Sequence, residues 1–198
     1  MVINFITSNQ GKIASLNKYL AAYNLNNIIV NAVNLNIIEP QADTVAEVSL
    51  SKAKQAFDIL RAPVLVEDGG LSIEALNGFP GVYSKYINTT IGANGIIKLM
   101  VGEKNRRANY ISTATFIDEK GMPHQFHRQG GGEVLITESV SKTNNPNAWS
   151  DMWKISFNER IGKVLSDMTP EEFALTSQDS KSSIKLFVEW LSKNHQKL

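Results

Sequence analysis

The tripeptide Val64-Leu65-Val66, held between Pro63 and the run Glu67-Asp68-Gly69-Gly70, does most to limit what this chain can fold into. Three consecutive apolar, largely β-branched residues without alternation read as a strand buried on both faces, which belongs in a sheet covered by helices. Pro63 stops the preceding helical pattern, and the acidic pair follows at the strand's predicted carboxyl end, where α/β proteins place ligands. The flanking pattern agrees. Val2 to Ile6 reads as a strand, Thr7-Ser8-Asn9 as a turn, and Ile13, Leu16, Tyr19 and Leu20 recur at helical spacing. Ile28 to Val33 reads as a strand and about Thr44 to Leu60 as a helix with Val45, Val48, Ala53, Ala56 and Phe57 inward. Strands alternating with helices predict an α/β fold.

Beyond residue 90 the pattern changes. Ile91 to Val101 reads as a helix closed by Gly102, and Ala108 to Ile117 and His124 to Ile136 read as two strands around the turn Asp118-Glu119-Lys120-Gly121. Such a pair adds an antiparallel portion and makes the sheet mixed. Asn144 to Asn147 reads as a loop, Thr169-Pro170-Glu171-Glu172 as a capped helix start, and the stretch from about Ser180 as a last helix burying Ile184, Phe187, Val188 and Leu191. No linker separates independent domains, so 198 residues are expected to form one domain.

Composition narrows the function. Twenty basic and 19 acidic residues leave a net charge of +1, which gives no global field for nucleic acid or an anionic membrane. With no cysteine, disulfides, thiolate nucleophiles and cysteine-bound zinc are excluded, and oxygen ligands suit a hard cation such as Mg²⁺. No stretch approaches the roughly 20 apolar residues of a membrane span, and Met1 leads into no signal-like segment, so a cytoplasmic address is expected.

Four places offer chemistry. Thr7 to Lys12 reads either as a phosphate cradle at a helix N-terminus or as an ordinary N-cap with a surface lysine. Glu67 and Asp68 read either as a metal site beside glycines that admit phosphate, or as a solvated acidic turn whose glycines supply positive φ. Neighbouring strand residues face opposite ways, so one acid of the pair is expected in the site, and Asp68, nearer the turn, is the choice. Glu39 is placed to meet the same metal, Glu47 reads as a capping-box residue after Thr44, and Lys52 or Lys54 reads as a phosphate-reaching point charge or a solvated lysine. Asn77 to Ser84 reads as a rigid loop near a ligand or a plain turn. His124, His127 and His195 have no metal-ligand spacing and are expected at the surface.

Together these segments resemble the inosine triphosphate pyrophosphatase family from residue 2 to about residue 190. Its opening T-x-N-x-x-K is matched by Thr7, Asn9 and Lys12, its loop glutamate by Glu39, its helix start by Thr44, Glu47, Lys52 and Ala53, and its acidic signature by Glu67-Asp68 through Asn77-Gly78-Phe79-Pro80-Gly81-Val82-Tyr83-Ser84. Gly162-Lys163 and Met168 to Glu172 match later segments. The resemblance implies a two-lobed mixed sheet flanked by helices, a central cleft for a nucleoside triphosphate, Mg²⁺ on the triphosphate and a homodimer. It also implies water attack at the α-phosphorus with loss of pyrophosphate. On that reading Asp68 and Glu39 hold the metal, Asp68 also serves the water, and Lys12 and Lys52 act on the phosphates with Thr7, Asn9, Gly69 and Lys163.

The departures concern the base. Where the family carries G-F-G-Y-D-P and S-H-R, this chain has Asn147-Ala148-Trp149-Ser150-Asp151-Met152 and Ser177-Gln178-Asp179. Asp151 and Ser177 persist, the stacking aromatic moves to Trp149 or Trp153, and Gln178-Asp179 replace the His-Arg pair. An aspartate accepts where arginine donates, so a 6-oxo base would leave a buried polar group unpaired at about 1–3 kcal/mol. Three readings stay open: a pyrophosphatase shifted toward an amino-bearing base, a catalytically weak nucleotide-binding relative, and an enzyme for inosine and xanthosine triphosphates that reads the base elsewhere.

Overall fold

A computed structural model describes residues 1–128, 130–146, 148, 150–176 and 180–195. It is a mixed α/β protein in which two compact units share strands: residues 1–68, 112–129 and 181–198 form one, and 69–111 with 130–180 the other. In the first unit, β1 (Val2–Ile6) pairs in parallel with β2 (Ile29–Val33) on one side and with β3 (Val64–Ile73) on the other. Next in order come β4 (Arg107–Ile117) and, antiparallel to its second half, β5 (Pro123–His127). Helices α1 (Gln10–Ala22), α2 (Val45–Leu60) and α6 (Ser183–Asn194) cover this sheet. In the second unit the first half of β4 pairs with β6 (Glu133–Ile136), which continues to β7 (Ser156–Asn158) and β8 (Lys163–Val164). Helices α3 (Ser84–Thr89), α4 (Gly92–Leu99) and α5 (Pro170–Thr176) belong to it. No helix among the described residues is long and apolar enough to cross a membrane.

Strand β3 sorts its side chains by parity. Leu65 buries with Phe5, Leu16, Leu20, Ile184 and Phe187 under α1 and α6, whereas Val64 and Val66 bury with Ala53, Ala56 and Ile117 under α2. That is the two-residue period of a strand covered on both faces. The helices start as their caps dictate. Thr44 and Glu47 form a complete capping box on α2, and Thr169 and Glu172 exchange the same pair of bonds at α5.

Several expectations need correction. The strand does not end at Glu67-Asp68: it runs on through Gly69 and Gly70 to Ile73, so the acids sit in mid-strand and neither glycine takes a positive φ. Gly70 is required for another reason, since a Cβ there would lie 2.0 Å from the Gly81 carbonyl oxygen. The Asn77–Ser84 loop folds back onto the strand at that point, with Ser84 Oγ donating to Gly81 O at 2.7 Å and accepting from Leu71 N at 2.8 Å. The segment His124 to Ile136 is two strands, β5 and β6, because β4 serves a different unit with each of its halves.

His124 is not a plain surface residue. Its Nε2 lies 3.0 Å from Asp118 Oδ2, and its ring lies 4.5 Å from the Trp190 ring. Asp118 is buried and accepts from the N–H groups of Lys120 and Met122 at 2.9 Å each. Burial pushes its pKa up, but the bonds from His124, Met122 and Lys120 outweigh this and hold it below the ordinary 3.8. Because the folded value is depressed, the stabilisation is full above the unfolded pKa and is lost as pH falls through the folded one.

Two outcomes are expected. Gly70→Ala should destabilise the fold by about 1–3 kcal/mol or more, as overpacking against backbone does, read as a lowered midpoint in chemical denaturation. Asp118→Asn should lower stability at pH 7 and flatten its decline below about pH 4; an unchanged acid limb would assign that decline to other carboxylates.

Candidate functional site

The residues singled out in the first unit converge on the middle of β3. Parity sends Glu67 to the face of α1 and α6, and Asp68 to the face of α2. Lys12, one turn into α1, donates to the Glu67 carbonyl oxygen at 2.8 Å and lies 3.5 Å from its Oε2. Lys52, two turns into α2, lies 3.5 Å from Asp68 Oδ2 and 3.7 Å from Glu39 Oε2. Lys52 is thus the lysine turned toward the strand, while Lys54 is exposed. Glu39 comes from the segment between β2 and α2, which is tied down by Gln55: its Nε2 donates to Ile38 O at 2.8 Å, and its Oε1 accepts from Ile38 N at 3.1 Å.

At the start of α1, Asn9 caps the helix, its Oδ1 accepting from the N–H groups of Gly11 and Lys12 at 2.9 and 3.3 Å. Thr7 Oγ1 accepts from Asn9 N at 3.1 Å, which fixes the turn. The turn therefore is an N-cap, and Lys12 beyond it is held by Glu67 and is 31% exposed.

Asp68 and Glu39 thus face one ammonium together, two carboxylates to one lysine. Asp68 and Glu39 are oxygen donors of the kind Mg²⁺ prefers, and two suffice where substrate phosphates and water complete the shell. Among the described residues no three His, Cys, Asp or Glu side chains gather as a self-sufficient metal site. Glu67 carries a bond from another helix: Ser183 Oγ donates to its Oε1 at 2.6 Å.

The remaining predicted site residues lie in the second unit. Gly69 continues β3. Asp151 forms an ion pair with Lys154 at 3.0 Å and donates its backbone N–H to Asn88 Oδ1 at 2.9 Å. It lines a cavity of ≈ 330 Å³ together with Asn88, Asn144, Asn145, Ser150 and Lys154. Lys163 is paired with Glu172 at 2.6 Å. Trp153 is 3% exposed and stacked on Phe173 at 4.5 Å between centroids, so it belongs to the core and is removed as a base-stacking candidate. Trp149, Ser177, Gln178 and Asp179 lie outside the described residues. Sequence reading passed over Ser183 and Ser112 because isolated serines carry no motif, and only the register of α6 against β3 and β4 brings them to Glu67.

Comparison with known proteins places the chain in a family. The Ham1 family model matches residues 3–187. The chain is 34% identical over 194 residues, 98% of its own length and 99% of the relative's, to a dITP/XTP pyrophosphatase of Thermococcus kodakarensis. It is 31% identical over 184 residues, 93% of this chain and 89% of the relative, to inosine triphosphate pyrophosphatase 1 of Trypanosoma cruzi. Among solved structures, the Staphylococcus aureus Ham1 protein superposes with a TM-score of 0.80 at 18% identity, covering 98% of this chain and all of that one. A HAM1 protein from Coxiella burnetii does so with a TM-score of 0.79 at 20% identity over both full lengths. Fold, motif order and sequence identity along nearly the whole chain agree, and the chain belongs to the Ham1 family, the inosine triphosphate pyrophosphatases its motifs resemble.

Proposed function

We propose that this chain is a magnesium-dependent nucleoside triphosphate pyrophosphohydrolase that splits a purine (deoxy)ribonucleoside triphosphate into the monophosphate and pyrophosphate. The observation that carries the reading is the convergence of Asp68 and Glu39 on Lys52 beside the Lys12–Glu67 pair. Its relatives named as pyrophosphatases for dITP, XTP and inosine triphosphate support the reaction class.

The chemistry asks for charge neutralisation and in-line positioning rather than a covalent nucleophile. Lys12 and Lys52 supply compact positive charge to phosphate oxygens, with Lys52 held by two acids and therefore at a fixed point. The turn from Thr7 to Asn9 orients the start of α1, whose N-terminal dipole favours an anion. Asp68 accepts the proton of the attacking water as the new oxygen–phosphorus bond forms at the α-phosphorus. The bond from that phosphorus to the bridging oxygen breaks, and pyrophosphate leaves with the electron pair. Mg²⁺, held by Asp68 and Glu39 when bound, would spread the charge of the triphosphate oxygens. Asp151 and the Gln178-Asp179 pair are the base-reading candidates; acceptors at the latter favour an amino-bearing base over a 6-oxo one. The reading includes a homodimer, in keeping with the sequence resemblance, acting in the cytoplasm.

A panel of ribo- and deoxyribonucleoside triphosphates with Mg²⁺ tests this by pyrophosphate release. At least one member should be turned over, and Asp68→Asn should lower kcat by about a hundredfold or more, the scale of a lost general base, without loss of folding. Release from none would favour a nucleotide-binding module without catalysis. A best rate with inosine or xanthosine triphosphate would contradict the shifted base preference.

A further inference from the structure

Glu67 has no task in the reaction above, yet its side chain is the more enclosed of the two strand acids, 12% exposed against 17% for Asp68. Its contacts account for it. Ser183 Oγ donates to Glu67 Oε1 at 2.6 Å, a short, charge-assisted bond. Ser183 opens α6, is fully buried, and lies 2.9 Å from Ser112 Oγ on β4. A hydroxyl has one proton, and an ionised carboxylate only accepts. Ser183 gives its proton to Glu67, so Ser112 is the donor to Ser183. The polarity runs Ser112 to Ser183 to Glu67, and from the other side Lys12 to Glu67.

Lys12 is gripped by one residue twice, through the Glu67 carbonyl at 2.8 Å and its carboxylate at 3.5 Å. Of the three ammonium protons the carbonyl bond takes one, and the carboxylate holds the charge at ion-pair distance, so Lys12 keeps donor capacity for a substrate oxygen. Without the grip, Lys12 is a charge on a flexible four-carbon stem.

We infer that Glu67 is the positioning residue for Lys12 rather than a metal ligand, and that Ser183 and Ser112 position Glu67, so that one buried and one half-buried hydroxyl set the affinity for the triphosphate. The inference rests on the reading of Lys12 as a phosphate-binding lysine. Strand parity separates the adjacent acids, and the hydroxyl relay holds Glu67 in place on the α1 face.

Steady-state kinetics of Ser183→Ala and Ser112→Ala, each in the native and the Lys12→Met background, test it together with the acylation rate of each lysine under limiting acetic anhydride, read by mass spectrometry. In the native background Ser183→Ala should raise KM for the best triphosphate about three- to tenfold with kcat changed less than about twofold, the pattern of lost binding within one coupled network. Lys12 should be acylated faster relative to the other lysines. In the Lys12→Met background the serine change should add nothing. Should Ser183→Ala fail to fold, Ser112→Ala carries the same test with a smaller effect in the same direction. Unchanged Lys12 acylation in a folded variant, or an equal rise of KM without Lys12, would overturn the inference. Absence of hydrolysis by the native protein would instead remove the proposed function, while faster acylation of Lys12 in Ser183→Ala would still uphold the positioning.

Discussion

Two neighbouring carboxylates in the middle of a buried strand, each met by a lysine from a different helix, are the constraint on which the rest depends. Charged groups in that position need partners and hydrogen bonds. The strand period sends Glu67 and Asp68 to opposite faces, and the helices covering those faces supply Lys12 and Lys52. The same period decides the core: Leu65 joins α1 and α6, Val64 and Val66 join α2. Site and core are thus two readings of one alternation, and a slip of β3 by a single residue would exchange both.

That alternation explains what was legible in the sequence. The capped starts at Thr44 and Thr169 have fixed offsets to Glu47 and Glu172, so their geometry follows from local chemistry. The inward faces of α2 and α6 follow from helical spacing, and strand parity predicts that Glu67 and Asp68 face opposite ways, whereas the choice of Asp68 rested on a turn that the unbroken strand does not make. What failed was non-local. Gly69-Gly70 look like a turn because glycine usually supplies positive φ, yet here the missing Cβ admits the Gly81 carbonyl to an unbroken strand. The partition of β4 between two units, which splits His124 to Ile136 into β5 and β6, depends on pairing partners far away in sequence. Trp153 has the aromatic face a base would need, but Phe173 occupies it.

The site contains acids, lysines and hydroxyls and no thiol, which matches a reaction driven by positioning and electrostatics. Lys52 sits at the focus of Asp68 and Glu39, and Lys12 sits at the end of a hydroxyl relay. Both are point charges whose value depends on being held still. The residues proposed for the phosphates and the metal lie in the first unit, and Asp151, the described residue proposed to read the base, lies in the second.

The most direct measurement is hydrolysis of a triphosphate in ¹⁸O-labelled water with Mg²⁺, followed by mass analysis of the products. Water attack at the α-phosphorus predicts one labelled oxygen in the nucleoside monophosphate and none in the pyrophosphate. Label in pyrophosphate, or release of labelled orthophosphate from the intact triphosphate, would place the attack at another phosphorus and contradict the account.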